Sequence, residues 1–230
     1  MILMERFISY MIVSLVLMIS CIAVGVMTGN RYYYMVSIAL MIVSMILLVK
    51  STGRKLKVRE IVLIASLIAI AVIGRTAFYW LPQFKPVTAI VIIAGITLGA
   101  ESGMLVGMLS AFVSNFIFSQ GPWTPFQMFA WGLIGLISGY AFYNKKISKY
   151  KLMIFGFLIT FILYGAILNF LSALMYSSSL SLKIILSYIV SGVPFDLVHA
   201  VSTAVFLYII TNPMVSKIER LKIKYNLLKN

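Results

Sequence analysis

The chain has 230 residues, 62% of them apolar and 10% charged, against about 45–50% and about 25% for an average soluble domain. With a mean hydropathy of +1.07 and one cysteine, it is neither disordered, collagenous nor a disulfide scaffold, and it has room for about eight spans of roughly 20 residues. Nineteen Lys and Arg against five acids give a net charge of +14, but these residues sit between apolar runs, so they point to membrane orientation and not to nucleic acid.

The apolar runs predict an all-α polytopic membrane protein with eight transmembrane helices, over 7–27, 33–49, 60–79, 86–99, 103–119, 125–143, 152–176 and 183–211. They divide the chain into an N-terminal hairpin (1–49), a basic linker (50–59), a six-helix domain (60–212) and a basic tail (213–230). Residues 1–27 read as a helix and not as a cleaved signal, because Glu5 beside Arg6 weakens the charged start and the apolar run exceeds a typical h-region. Basic clusters follow the second, sixth and eighth helices, at Lys50–Arg59, Lys145–Lys151 and Lys217–Lys229. Together with Arg6 they place 15 basic residues on one side and leave only Arg31, Arg75, Lys85 and Lys183 on the other. The positive-inside rule then puts both termini in the cytoplasm, as expected for a multi-pass protein of the cell (plasma) membrane.

Along the third helix Ala65 and Ala69 lie one turn apart. Pairs at the same spacing recur at Gly95 and Gly99, Gly103 and Gly107, and Gly135 and Gly139. In lipid such small-residue faces let helices approach closely, either within the bundle or against another membrane subunit. The connection after the third helix, Arg75-Thr-Ala-Phe-Tyr-Trp-Leu-Pro-Gln-Phe-Lys-Pro86, and the stretch Asn115–Gln127 continuing to Trp131, gather aromatics with amides and cations at the outer face. Aromatic walls with a few placed polar groups suit a small-molecule pocket. Interfacial anchoring accounts for Trp80 and Trp123 equally well, but poorly for Gln83, Asn115, Gln120 and Gln127. Asn169 adds a polar group in the seventh helix, and Asp196 and His199 share a face of the eighth beyond Gly192 and Pro194. Ionisable groups at membrane depth mark either a functional site or a satisfied polar cluster; Arg75 is a conceivable partner for Asp196.

Hydrolase chemistry finds little here. One histidine cannot build a His-Glu-x-x-His zinc site, no Gly-x-Ser-x-Gly occurs, and Asp196 is the only deep carboxylate. There is no Gly-x-x-x-x-Gly-Lys-[Ser/Thr] loop to bind ATP. No enzyme activity, catalytic residue, metal site or cofactor is expected.

Three segments resemble a known family. They are Leu81-Pro-Gln-Phe-Lys-Pro-Val-Thr88, Val113-Ser-Asn-Phe-Ile-Phe-Ser-Gln-Gly-Pro-Trp-Thr-Pro-Phe-Gln-Met-Phe-Ala-Trp-Gly132 and Pro194-Phe-Asp-Leu-Val-His-Ala200, supported by the Ala65–Ala69 element. Through them residues 58–212 resemble the substrate-binding S component of an energy-coupling factor (ECF) vitamin transporter, and within it most resemble the cobalamin-type branch. The resemblance implies six helices with a short paired second and third, a cell membrane of the prokaryotic type, a pocket open to the outside, and no catalysis. It implies capture of a vitamin, cobalamin or a related corrinoid first, with riboflavin, a pyrimidine precursor or pantothenate as alternatives. A membrane coupling subunit and two ATPase subunits would be the partners, with Ala65 and Ala69 facing the coupling subunit. Arg75, Tyr79, Gln83, Asn115, Gln120, Trp123, Gln127, Trp131, Asn169 and Asp196 would lie at or near the pocket. The competing class is a structural or assembly protein whose small-residue faces hold other membrane subunits. The hairpin 1–49 departs from the six-helix pattern.

Overall fold

A computed structural model of the protein describes residues 57–121, 123–177 and 180–225. The two helices expected over 7–27 and 33–49, the N-terminus, the C-terminal residues 226–230 and most of the linker lie outside the described residues. Within them are six helices: α1 (Val58–Ala77), α2 (Val87–Leu98), α3 (Ala100–Phe118), α4 (Trp123–Phe142), α5 (Lys149–Tyr176) and α6 (Leu182–Lys224). By length and composition α1, α3, α5 and α6 are long and apolar enough to cross a membrane, whereas α2 is a shorter apolar helix.

Local chemistry sets the ends. Glu60 in the first turn of α1 accepts the Lys57 amide at 3.2 Å, closing a backbone donor that the helix itself cannot satisfy. Ser148 and Ser181 cap α5 and α6 by accepting the Lys151 and Ile184 amides, each at 3.3 Å. Between α2 and α3 the chain turns on one residue, Gly99, at φ +96°, a left-handed value that suits glycine.

The centre of the bundle is α2. Eleven of its 12 residues are buried, which fits a helix apolar on every side. It packs against α3 and α4 through backbone, because the glycines leave no side chain between them. A Cβ added at Gly103 would lie 2.5 Å from the Gly95 Cα and 2.6 Å from the Gly135 carbonyl oxygen. One at Gly107 would strike the Trp131 carbonyl, and one at Gly139 would strike Ala100. These glycines are therefore internal packing contacts. Ala65 and Ala69 are different: both are exposed, on the face of α1 turned away from the core.

On the other side α5 packs along α6. A π-helical turn, Thr160–Tyr164, interrupts α5. The last helix continues well past the expected end at 211, through Pro194 and Pro213, to Lys224. Much of the expected basic tail is thus helix, and its contacts explain why. Ile218 is buried, and Lys222 Nζ donates to the Thr97 carbonyl at the end of α2 (2.8 Å) and to Glu219 (2.7 Å). Arg59 at the start of α1 donates to the Tyr225 carbonyl at 3.3 Å. These contacts draw the N-terminus of α1 and the C-termini of α2 and α6 to one basic end of the bundle.

Candidate functional site

A cavity of about 370 Å³ lies at the opposite end, between the end of α1, the connection to α2, the start of α4 and the facing stretches of α5 and α6. Its first wall is built on Arg75, in the last turn of α1. Arg75 is buried, and its Nη1 donates to Ser114 Oγ (2.5 Å) and Asn115 Oδ1 (2.8 Å) on α3. The guanidinium lies 4.4 Å from the centre of the Phe118 ring and 5.3 Å from that of Trp131, so aromatic faces supply part of the stabilisation that water would give.

From Asn115 the network runs on. Its amide donates to Thr124 Oγ1 and Gln127 Oε1, both at 2.9 Å. Thr124 donates to Gln120 Oε1 (2.9 Å), and Gln120 donates to the Phe112 carbonyl (2.9 Å). Asn115 and Gln120 therefore hold the α3–α4 connection in place behind the wall and do not line the cavity.

The floor is aromatic. Trp131 stacks on Tyr164 at 5.6 Å and 28°, and Tyr164 meets the His199 ring edge to face at 4.5 Å. Trp131 Nε1 donates to Thr88 Oγ1 at 3.0 Å, and the same hydroxyl lies 2.9 Å from His199 Nε2. With the indole as donor, the single hydroxyl proton of Thr88 is free to go to Nε2, which leaves the ring proton on Nδ1. That atom is buried without a hydrogen-bond partner among the described residues. Tyr164 ends the π-helical turn, which shifts the register of α5 at this position.

The far wall is the α5–α6 contact. Asn169 donates to Asp196 Oδ2 at 2.6 Å. Glycines make room for the pair: a Cβ at Gly165 would lie 2.6 Å from the Asp196 carboxylate, and one at Gly192 would strike the Asn169 amide. Asp196 and His199 share a helix but not a partner, and Asp196 forms no ion pair with Arg75.

Lys85 closes the mouth from the α1–α2 connection. Its carbonyl accepts from Ser202 on α6 at 3.0 Å, and its ammonium lies 5.1 Å from the centre of the Phe118 ring. Burial, then the neighbouring Arg75 charge, lowers the Lys85 pKa below its ordinary value.

Of the ten residues expected near a pocket, Arg75, Gln83, Trp123, Gln127, Trp131, Asn169 and Asp196 line the cavity. Asn115 and Gln120 stand behind it as described, and Tyr79 is 58% exposed at the rim, against Trp80 and Phe118. The ten did not include Lys85, Tyr164, His199, Phe195 or the Met175–Tyr176 end of α5, all of which line it. Lys85 and His199 were visible as unusual polar residues, whereas Tyr164 reaches the site through a helix irregularity that leaves no mark in residue type. Among the described residues no group of three or more His, Cys, Asp or Glu could hold a metal ion.

A family model described as ECF-type riboflavin transporter, S component, matches residues 55–220. No curated protein matches the chain, and no solved structure does.

Proposed function

The chain belongs to the S components of ECF-type transporters, and from that premise we propose that its cavity captures a vitamin with an extended ring system on the outer face of the membrane. Family membership makes the chain an integral membrane binding subunit rather than an enzyme, one that works with an ECF module. The observation that carries the ligand reading is the cavity itself. Trp123, Trp131 and Tyr164 offer flat apolar surface, while Arg75, Gln127, Asn169 and Asp196 offer fixed polar contacts around it.

Two vitamins have specific support. A flavin fits the family description and fits a volume of about 370 Å³, near the lower end of ligand pockets at about 300–1,000 Å³. Cobalamin or a related corrinoid rests on the segments Leu81–Thr88, Val113–Gly132 and Pro194–Ala200. A corrinoid is several times larger, so it would seat an edge in the cavity and spread over the rim at Tyr79 and Trp80. The family description and the modest cavity favour the flavin.

Transport would then use differential affinity for the ligand across conformations. The basic end, with Arg59, Lys222 and the Lys145–Lys151 connection, would face the cytoplasm. The exposed Ala65–Ala69 face of α1 would meet the coupling subunit.

A thermal-stability panel on purified protein tests the ligand. A vitamin that binds only the folded state at a hundredfold excess over Kd adds about 2.7 kcal/mol. A shift with riboflavin but not cobalamin or cobinamide selects the flavin, and the reverse selects the corrinoid. No shift with these or with pantothenate removes the vitamin reading and favours the assembly protein.

A further inference from the structure

Arg75 and Lys85 are two cations on one cavity, and among the described residues neither has a carboxylate partner. Both lie beside the same Phe118 ring, at 4.4 Å and 5.1 Å from its centre. Arg75 is buried and Lys85 half-buried, so their mutual repulsion is poorly screened. The acids among the described residues are placed elsewhere. Glu60 and Glu219 lie at the basic end, and Glu101 begins α3 beside the turn that follows α2. Asp196 lines the same cavity on the far wall, where it takes its hydrogen bond from Asn169. Ser114 and Asn115 engage only Nη1 of Arg75, and a guanidinium has five N–H donors. Buried charge is normally paired; here the missing anion has a place, the cavity that both side chains line.

Building on the vitamin-binding reading, we infer that the site selects ligands carrying an anionic group, a phosphate or a carboxylate, which Arg75 and Lys85 hold jointly beside the Phe118 ring. The ring system then lies toward Trp131 and Tyr164, and Asp196 with Asn169 meets donor groups at the opposite edge. Charge-assisted contacts to the anion replace the repulsion between the two cations with attraction.

The test uses pairs of probes that differ in the anion: flavin mononucleotide and riboflavin, cobinamide phosphate and cobinamide, pantothenate and panthenol. The first two pairs carry a phosphate and the third a carboxylate, so the pair that responds identifies the group. Dissociation constants are measured on the purified full chain. In a pair that binds, the anionic member should bind at least tenfold tighter than its neutral partner, which is about 1.4 kcal/mol. Replacing Arg75 also strips Ser114 and Asn115 of their donor, so the decisive variants are at Lys85. Lys85→Met should cut the anionic-to-neutral preference at least fivefold, and Lys85→Arg should keep it. Equal or tighter binding of the neutral member by the unaltered protein overturns the inference and leaves the vitamin reading standing. An unchanged preference in Lys85→Met also overturns it. Failure of every probe to bind overturns the vitamin reading, and the inference with it.

Discussion

The two sides of the cavity are built in different ways. The α2–α3–α4 side is joined backbone to backbone at Gly95, Gly103, Gly107, Gly135 and Gly139. The α5–α6 side is joined by side chains and carries a π-helical turn in one helix and two prolines in the other. Glycine contacts fix distances tightly, since any added atom must displace main chain. Side-chain contacts leave rotamers to adjust. Trp131 therefore stands on a wall whose position is set by the fold, and Arg75 on α1 is tied to that wall through Ser114 and Asn115, while Asn169, Asp196 and Phe195 stand on one with room to settle around a ligand.

The largest effect should come from breaking the tight side. In Gly135→Leu the new side chain runs into the Gly103 carbonyl, and no rotamer relieves a clash with main chain. The expected cost exceeds about 3 kcal/mol, read as loss of monodisperse protein in size-exclusion chromatography.

Small residues on a free face should behave in the opposite way. Ala65→Trp with Ala69→Trp adds far more bulk, but to an exposed face. Folding and vitamin binding should persist, while copurification with the coupling subunit and vitamin uptake fail. Wild-type uptake by this variant would remove the docking role of that face.

On the adaptable wall effects should be moderate. Asp196→Asn removes the charge from the Asn169 contact and should lower vitamin affinity about tenfold, or about 1.4 kcal/mol. Melting temperature should fall by an amount matching about 1 kcal/mol. Lower stability with unchanged affinity would make Asp196 a structural residue only.

The smallest effect tests a tie between the two sides. Lys222 on α6 donates to the last-turn carbonyl of Thr97 on α2. Lys222→Met should cost about 0.3–1 kcal/mol, as for other cations at helix C-termini, without altering ligand affinity, since the contact lies at the end away from the cavity.

The six helices between 57 and 225 can be read from the apolar runs, but only α1, α3, α5 and α6 are long and apolar enough to be the full spans expected of each. Their limits are less legible where the code is amphipathic. From Pro213 onward, Ile218 and Leu221 alternate with charges and resemble a solvated tail, yet Ile218 is buried and Lys222 is anchored, so the helix continues. The site divides along a similar line. Gln83, Gln127 and Asn169 stand out because amides are costly near lipid, and each lines the cavity. Lys85 was visible as a cation in the outer connection, but nothing in its neighbours shows that the chain folds it back beside Arg75. The partners of Asp196 and His199 were not legible either, since they depend on which face of α5 and which turn of α2 reach α6.

The burial of α2 bears on how the bundle meets its membrane. At 12 residues it is about 18 Å long, against a hydrocarbon layer of about 30 Å. A segment that short would meet lipid alone only by thinning the layer around it, a cost that packing inside the bundle removes. Only Gly99 separates it from α3, so the two form one tight hairpin, and α4 packs over both. The helix at the centre of the bundle is thus the one least suited to the bilayer by itself, and its neighbours give it the surroundings that lipid would not.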